Sequence, residues 1–188
     1  MVNFSLSSKR QAGVTLLEMM ITLAVAAILL TVVAPNIQSI LTSNRITAEI
    51  NETSALLQFA RYTAIDEQSQ VVVCPSSNFA TCNNDWNNPK IVFLDLNGNG
   101  SRDGAEELLQ SSQAISGGNK MTSSQNLVEF NESGGTTAAA DIVLCPKNND
   151  AKFARGLIVS LQGRTRLSRD ESDDGFHEDS SGTSLACS

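Results

Sequence analysis

An apolar run near the amino terminus constrains this chain more than any other feature. Residues 19–34 are almost wholly apolar, Pro35 follows them, and Lys9 and Arg10 precede them. At about 1.5 Å per residue, a helix over residues 14–34 is long enough to cross the ~30 Å hydrocarbon core of a bilayer. Because basic residues lie before the run and none within it, the leader is predicted to be cytoplasmic. The rest of the chain is then expected beyond the membrane.

A carboxylate lies where this helix would enter the bilayer. Glu18 follows the leader closely, and an ionisable group in hydrocarbon is costly enough to indicate a function. If the chain were cut between Gly13 and Val14, the new α-amino group would supply a cation for Glu18 of a neighbouring subunit. The pattern predicts a leader over residues 1–13, processing at Gly13 and Val14, and a role for Glu18 in fibre assembly.

The segment Gly13-Val14-Thr15-Leu16-Leu17-Glu18 resembles the class III signal of type IV pilins and type II secretion pseudopilins. This resemblance implies cleavage by a prepilin peptidase and methylation of the new amino terminus. The family usually has Phe after the cut, and Val14 departs from that pattern. An ordinary secretory signal is the alternative, but it would place small residues at a cleavage site after the apolar run. Residues 32–35 lead instead into more helix-like sequence.

The helix is predicted to continue as an amphipathic helix to Gln68, and Pro35 is expected to bend it without ending it. Apolar residues recur mostly three or four apart, as on one face of a helix. They are Ile37, Ile40, Leu41, Ile46, Ile50, Leu57, Ala60 and Ala64. Polar residues stand between them. The remaining length, roughly 120 residues, suits one globular head.

The head is predicted to be an antiparallel β domain, because short apolar runs after Gln70 are separated by Gly, Asn, Ser and Pro. The candidate strands are residues 71–74, 91–94, 107–110, 127–130, 141–145, 156–160 and 164–167. The predicted fold class is α+β. A helix over residues 14–68 carries a head over residues 69–188 that ends in an acidic tail.

Four cysteines on the oxidising side of a membrane predict two disulfides, with three possible connectivities. The head also resembles FimT and GspH minor pilins. The segments that carry this resemblance are residues 71–76, Cys82 with Trp86, residues 91–93 and residues 95–100. The resemblance, which weakens over residues 111–140, implies a small β-sandwich on a long helix. It also implies that Cys74 pairs with Cys82 and Cys145 with Cys187.

Residues 95–106 fit the EF-hand calcium loop, in which oxygens at alternate positions of a tight turn converge on one point. The candidate ligands are Asp95, Asn97, Asn99, Ser101, Asp103 and Glu106. Gly100 would allow the sharp bend. The flanks read as strands rather than helices, however, and Asn-Gly pairs are also typical of a plain hairpin turn. Both interpretations stay open; no cofactor is required, and calcium is the one candidate.

Basic residues are concentrated between Lys147 and Arg169. Six of the eleven that remain without Lys9 and Arg10 lie there, with only Asp150 opposing them. Gly163 is a natural turn that would bring the following strand back beside residues 156–160.

In that strand Arg164 and Arg166 would share a face, and parallel guanidinium groups suit phosphate oxygens. The segment Gly163-Arg164-Thr165-Arg166 resembles the Gly-Arg-x-Arg element of DNA-binding FimT pilins, which serve DNA uptake in natural transformation. The candidate DNA-binding residues are Lys152, Arg155, Gly163, Arg164, Arg166 and Arg169.

Two observations oppose DNA binding. Arginines on an edge strand also discourage unwanted pairing. Six acidic residues follow the basic segment and either fold back on the arginines or lie in a mobile loop closed by Cys187. They are Asp170, Glu171, Asp173, Asp174, Glu178 and Asp179. Loss of Lys9 and Arg10 with the leader lowers the net charge of −7 by two, to −9, which argues against a general nucleic-acid coat.

An enzyme is the least favoured class. His177 is the only histidine and lies in the acidic tail, so it is expected to be solvated and not to serve as a base on a rigid element. Two functions remain: a DNA-receptor minor pilin of a type IV pilus, or a structural minor pseudopilin of a type II secretion fibre. Both imply other pilin or pseudopilin subunits, a prepilin peptidase and the inner membrane as partners, with the head in the periplasm. The first adds double-stranded DNA.

Overall fold

The computed structural model describes residues 13–187, the side chains of residues 32–36 excepted. This part contains one long helix, α1 (Leu16–Asp66), and a 3-10 helix (Ala151–Phe153). The strands are β1 (Gln70–Pro75), β2 (Lys90–Asp95), β3 (Leu108–Ser111), β4 (Asn119–Ser123), β5 (Val128–Phe130), β6 (Ala140–Pro146), β7 (Arg155–Val159) and β8 (Thr165–Leu167). The chain divides into two compact units, Met1–Leu41 and Thr42–Ser188.

The first unit carries the amino-terminal part of α1. Thr15 caps the helix, since its Oγ1 accepts a hydrogen bond from the Glu18 N–H at 3.2 Å. The helix continues through Pro35. Over the described residues, no helix combines the length and apolarity needed to cross a membrane. The predicted span over residues 14–34 includes side chains outside the described set, and Lys9 and Arg10 also lie outside the described residues.

The second unit, here called the head, contains two four-stranded sheets with the orders β3-β2-β1-β5 and β4-β6-β7-β8. All their pairings are antiparallel. The predicted α+β class is confirmed. All seven predicted strands are present, with bounds shifted by a residue or two. The eighth, β4, was not predicted.

One face of α1 forms the core of the head together with both sheets. Ile46, Ile50, Leu57, Ala60 and Ala64 are buried there against apolar residues of both sheets, as the helical spacing predicted. A fully buried Ile or Leu side chain contributes about 1.5–3 kcal/mol. The other predicted members of the stripe lie in the first unit and are exposed: Ile37, Ile40 and Leu41. The core face of the helix therefore begins only within the head.

Charged residues of α1 fix the helix on the head. Arg45 donates through Nε to the Asn119 side chain at 3.0 Å and through Nη2 to the Gly118 carbonyl at 3.1 Å. The Glu49 carboxylate accepts from the Ser116 N–H at 3.0 Å and from Asn119 Nδ2 at 2.8 Å. These bonds set the register of α1 against the segment that leads into β4.

Two disulfides close the head, Cys74–Cys82 and Cys145–Cys187. The pairing implied by the family resemblance is confirmed. The second bond spans a sequence separation of 42 residues, and the chain-entropy account gives such a ring on the order of 4 kcal/mol. It also holds the acidic tail against the head, where Leu185 is buried with Cys145 and Ala154.

Candidate nucleic-acid interface

A tight turn joins β7 to β8 and places the basic segment at the edge of the second sheet. The Gly163 N–H donates to the Ser160 carbonyl at 2.7 Å, and the Ser160 N–H donates to the Arg164 carbonyl at 3.0 Å. Beyond the turn, Ile158 pairs with Arg166. The predicted turn at Gly163 is confirmed. We call residues 155–169 the basic hairpin.

Gly163 has a structural role in this hairpin. Its φ is 70°, a left-handed value that favours glycine. A Cβ at this position would collide with the carbonyl of Gly134, which also accepts a hydrogen bond from Arg61 Nε at 2.9 Å. Gly163 therefore fixes the position of Arg164 without offering a side chain to a ligand.

The two central arginines line different grooves. β8 begins at Thr165, so Arg164 lies in the turn and lines a groove with Arg61 and Tyr62 of α1. Arg166 lies within β8 and lines a second groove with Arg169. Arg164 and Arg166 were predicted to share one face of a strand. Only Arg166 lies in the strand, so the prediction of a shared face is wrong. Both side chains are exposed.

The remaining predicted residues differ in how free they are. Arg155 is half-buried, and its Nη1 donates to the carbonyls of Lys152 at 3.2 Å and Ala154 at 2.7 Å. Burial lowers the pKa of the Arg155 guanidinium. Lys152 and Arg169 are exposed. The exposed cations of the predicted set are thus Lys152, Arg164, Arg166 and Arg169.

The acidic tail binds mainly to its own backbone. The Glu178 carboxylate accepts from the Glu171 N–H at 2.8 Å, from the Ser172 N–H at 3.1 Å and from the Ser172 hydroxyl at 2.6 Å. These bonds, led by the one from the hydroxyl, lower the pKa of Glu178. Asp170 and Asp179 likewise accept from backbone N–H groups of the tail.

Only one acid of the tail approaches an arginine. Within residues 13–187, the ion pair between an arginine and an acid of the tail is Arg166 with Glu171, at 3.9 Å, and both side chains are largely exposed. Such a contact is worth about 0–1 kcal/mol. Folding back onto the arginines, one alternative that the sequence left open, is thus limited to this weak contact.

His177 fastens the tail to the basic hairpin and is not simply solvated, as the sequence had suggested. Its Nδ1 lies 2.9 Å from Ser168 Oγ and 2.8 Å from the Ser168 carbonyl. Ser168 Oγ accepts from the Gly156 N–H at 2.7 Å. Burial, with the nearby charge of Arg155 as a smaller cause, lowers the pKa of His177. The expectation failed because the partner is provided by the tertiary fold.

The segment from Asp95 to Glu106, here called the acidic loop, has the sharp turn expected of a calcium loop. Asp95 and Glu106 are 2% and 4% exposed, and the φ of Gly100 is 71°. The Asp95 carboxylate accepts from the N–H groups of Gly98 at 2.8 Å and Gly100 at 2.7 Å. Glu106 accepts from the N–H groups of Leu96 and Asp103. The two acids at the ends of the pattern thus close the loop.

The middle positions of the acidic loop also meet. Asn97 and Asn99 donate through Nδ2 to Asp103 Oδ2 at 2.7 and 3.1 Å. Ser101 donates its N–H to the Asn99 side chain at 2.8 Å. Each of the six candidate side chains carries an oxygen of the kind that calcium prefers, but the amide nitrogens of Asn97 and Asn99 face Asp103. Among the described residues, the carboxylates that lie within 4.8 Å of one another are instead those of Asp170, Asp174 and Glu178 in the tail.

The predicted processing and assembly residues lie at the start of α1. Gly13 and Val14 precede the helix and are exposed, and Glu18 lies in its first turn. They belong to the first unit.

The family model described as type II transport protein GspH matches residues 49–163. The chain belongs to the GspH family. A second model, the prokaryotic N-terminal methylation motif, matches residues 8–34. No curated protein matches the chain in sequence.

Two solved structures of the type IV minor pilin FimU of Pseudomonas aeruginosa share the fold of this GspH family member. The first is 18% identical, with a TM-score of 0.55, and the match covers 67% of this chain and 90% of that one. The second is 17% identical, with a TM-score of 0.52, and the match covers 65% of this chain and 92% of that one. The minor pseudopilin EpsH of the Vibrio cholerae type 2 secretion system is 10% identical, with a TM-score of 0.49, and the match covers 65% of this chain and 95% of that one.

Likeness at this level of identity shows the fold, and membership of the GspH family rests on the match over residues 49–163. Sequence reasoning missed one residue beside Arg164. Tyr62 lies in the same groove. The sequence could have indicated it, because Tyr62 is an aromatic residue outside the apolar stripe of α1.

Proposed function

We propose that this GspH family member is a FimT-like minor pilin of a type IV pilus whose head binds extracellular double-stranded DNA for uptake in natural transformation. The observation that carries the proposal is the basic hairpin. It exposes Arg164, Arg166 and Arg169 at a sheet edge, while the neighbouring acids are bonded mainly to their own backbone. Exposed guanidinium groups that are not paired with acids can bind phosphate oxygens.

Binding by one head is expected to be weak and independent of sequence. Two to four arginine–phosphate contacts give a salt slope of about −0.9 each and no readout of bases. Useful capture therefore requires several heads on one DNA molecule, or a second DNA-binding subunit. When weak sites are linked, binding at one raises the effective concentration of DNA at the next, and the overall affinity increases.

Assembly is proposed to depend on the amino terminus. A prepilin peptidase would cut after Gly13 in the inner membrane, Val14 would be methylated, and Glu18 would pair with the amino terminus of a neighbouring subunit. The match to the methylation motif over residues 8–34 supports this. Mass spectrometry of membrane-extracted protein should find the new terminus, and an intact Met1 in cells that contain the peptidase would contradict it. Glu18→Val should spare insertion and impair incorporation into the fibre.

The acidic loop is proposed to hold calcium in the periplasm or outside the cell. Asp95, Asn97, Asn99, Ser101, Asp103 and Glu106 would supply the oxygens. Extracellular calcium is high enough to fill even a site with a Kd of about 1 mM. The ion would then stabilise the head by mass action.

The test of DNA binding is a gel shift of duplex DNA at low salt with the full chain in detergent. The unmodified protein should shift the duplex, and the double variant Arg164→Glu, Arg166→Glu should not. A matched control reverses two cations away from the hairpin edge, Arg102→Glu with Lys147→Glu, and should keep most of the shift. The transformation frequency should fall with the first variant, while the amount of subunit in fibres stays constant.

A structural minor pseudopilin of a type II secretion system is the second candidate. The match to the type II transport model over residues 49–163 favours it. Deletion of the gene should then abolish protein secretion and leave transformation unchanged. If the oxidised protein also fails to shift DNA at low salt, this second function is the better account.

A further inference from the structure

One groove of the head brings a free arginine next to an exposed aromatic ring. It is lined by Gln58, Arg61, Tyr62, Gly163, Arg164 and Thr165. Tyr62 is the only tyrosine of the chain and is 64% exposed. Within residues 13–187, the Arg164 side chain has no hydrogen bond or ion pair. A cation and a π face therefore share one site, and neither is used by the fold.

The exposed ring is part of a strip along α1. Phe59 and Ile65 are 38% and 37% exposed, and with Tyr62 they line a separate groove on α1, which Asp66 and Gln68 also line. The same helix buries Leu57 and Ala60 completely, so the fold has a separate face for its core. A contiguous exposed apolar strip indicates a ligand or a partner.

The two halves of the first groove are held at a fixed separation. Arg61 lies on α1 next to Tyr62, and its Nε donates to the Gly134 carbonyl at 2.9 Å. The turn at Gly163 packs against this same carbonyl, with no room for a side chain. The backbone positions of Tyr62 and Arg164 are thereby fixed relative to each other, which limits the entropy lost on binding to that of the two side chains.

We infer that this groove binds single-stranded DNA, with Arg164 contacting a phosphate and Tyr62 stacking on a neighbouring base. The inference rests on the proposed function, since it uses the same Arg164. In a duplex the bases already stack on one another, whereas a single strand offers both a phosphate and a free base face. A second head is the other candidate ligand, but it would need only the apolar strip of Phe59, Tyr62 and Ile65. The cation beside the ring therefore favours single-stranded DNA.

The test compares a single strand of about 15 nucleotides with its duplex, by fluorescence anisotropy on the full chain in detergent. The single strand should bind about tenfold more tightly, the lower part of the range for one base–aromatic stack. Tyr62→Ala should remove this difference and leave duplex binding unchanged, and Tyr62→Phe should retain it. Arg164→Glu should weaken both. The control Phe79→Ala removes an exposed ring elsewhere and should change neither.

A spectroscopic signature separates stacking from charge. Tyr62→Trp introduces an exposed indole, whereas the native Trp86 is 3% exposed. Addition of the single strand should quench the new fluorescence and leave the emission of Trp86 unchanged.

Three results would overturn the inference. Duplex binding with no preference for the single strand, and no effect of Tyr62→Ala, would overturn it and leave the proposed function standing. Absence of binding to either DNA would remove both. Loss of self-association in Tyr62→Ala, with DNA binding intact, would assign the strip to a contact between subunits.

Discussion

The acidic loop and the basic hairpin carry opposite charges and differ in what those charges contact. In the loop, Asp95 and Glu106 are almost fully buried, and both carboxylates accept hydrogen bonds from nearby backbone N–H groups. In the hairpin, Arg164 and Arg166 are exposed, and the one ion pair there is the 3.9 Å contact with Glu171.

This difference separates charges that support the fold from charges that remain available to a ligand. When one partner of a buried hydrogen bond is removed, the group left behind is unsatisfied. Each such group lowers the free energy of unfolding by about 1–3 kcal/mol. An exposed arginine without a partner costs the fold almost nothing when it is replaced. Substitutions in the loop should therefore change stability, and substitutions in the hairpin should change binding.

The largest stability effect is expected from Asp95→Ala. Removal of this carboxylate leaves the buried N–H of Gly100, and the more exposed N–H groups of Gly98 and Asn99, without their acceptor. The free energy of unfolding should therefore fall by about 3–4 kcal/mol even in chelator. Asp103→Ala is the matched control, because Asp103 is exposed and its carboxylate accepts from the side-chain amides of Asn97 and Asn99 and not from backbone N–H groups. In chelator it should cost less than about 1 kcal/mol.

The same two variants test the proposed calcium site. At a calcium concentration about ten times Kd, the unmodified protein should gain about 1.4 kcal/mol relative to chelator, and both variants should lose this gain. Denaturant unfolding with calcium and with chelator measures it. Identical curves for the unmodified, folded head would leave only the hairpin interpretation of the loop.

A slightly smaller effect is expected at Lys90, a charge that is buried with little compensation. Its side chain is 1% exposed. Burial lowers the pKa of Lys90 to about 8, although Glu52, Glu49 and Asp85 oppose the shift. Between pH 8 and the unfolded value of 10.5, the unfolded chain binds more protons, so stability should rise with pH.

Relative to pH 10.5 and above, this lysine costs the folded protein roughly 3 kcal/mol at pH 7. Lys90→Met should therefore stabilise the head at pH 7 by an amount of that order and remove the rise of stability between pH 8 and 10.5. Thermal unfolding across this window measures both effects. If stability still rises with pH in the variant as it does in the unmodified protein, the rise is caused by another titratable group.

The smallest effect is expected from Glu171→Gln in the tail. The 3.9 Å contact with Arg166 is exposed on both sides, so stability should change by less than about 0.5 kcal/mol. Affinity for duplex DNA should rise about two- to threefold, because one competing carboxylate is removed. Asp173→Asn, in the same tail and away from this contact, is the matched control. An equal gain in both variants would indicate long-range charge only.

Much of the fold could be predicted because apolar spacing determines it. The stripe from Ile46 to Ala64 corresponds to the buried face of α1, and the seven runs correspond to seven of the eight strands. β4 was missed because its sequence, Asn-Lys-Met-Thr-Ser, contains one apolar residue. Only Met121 and Asn119 are buried there, and the strand is specified by its pairing with β6.

The site was predictable as a set of residues and less so as an arrangement. The arginines and the turn at Gly163 could be found from composition and spacing. The groove that Arg164 shares with Tyr62 could not, since the two residues are about a hundred positions apart in the chain. The state of the acidic tail was equally hidden, because it depends on which backbone N–H groups each carboxylate reaches.

The most direct test of the central claim is the salt dependence of duplex binding by the full chain and by three single variants, Arg164→Ala, Arg166→Ala and Arg169→Ala. Three phosphate contacts predict a slope of log K against log salt near −2.7, and each variant should reduce its magnitude by about 0.9. Unfolding midpoints should stay the same in all four proteins. A slope that none of the three substitutions changes, or no binding at low salt, would contradict DNA binding by the basic hairpin.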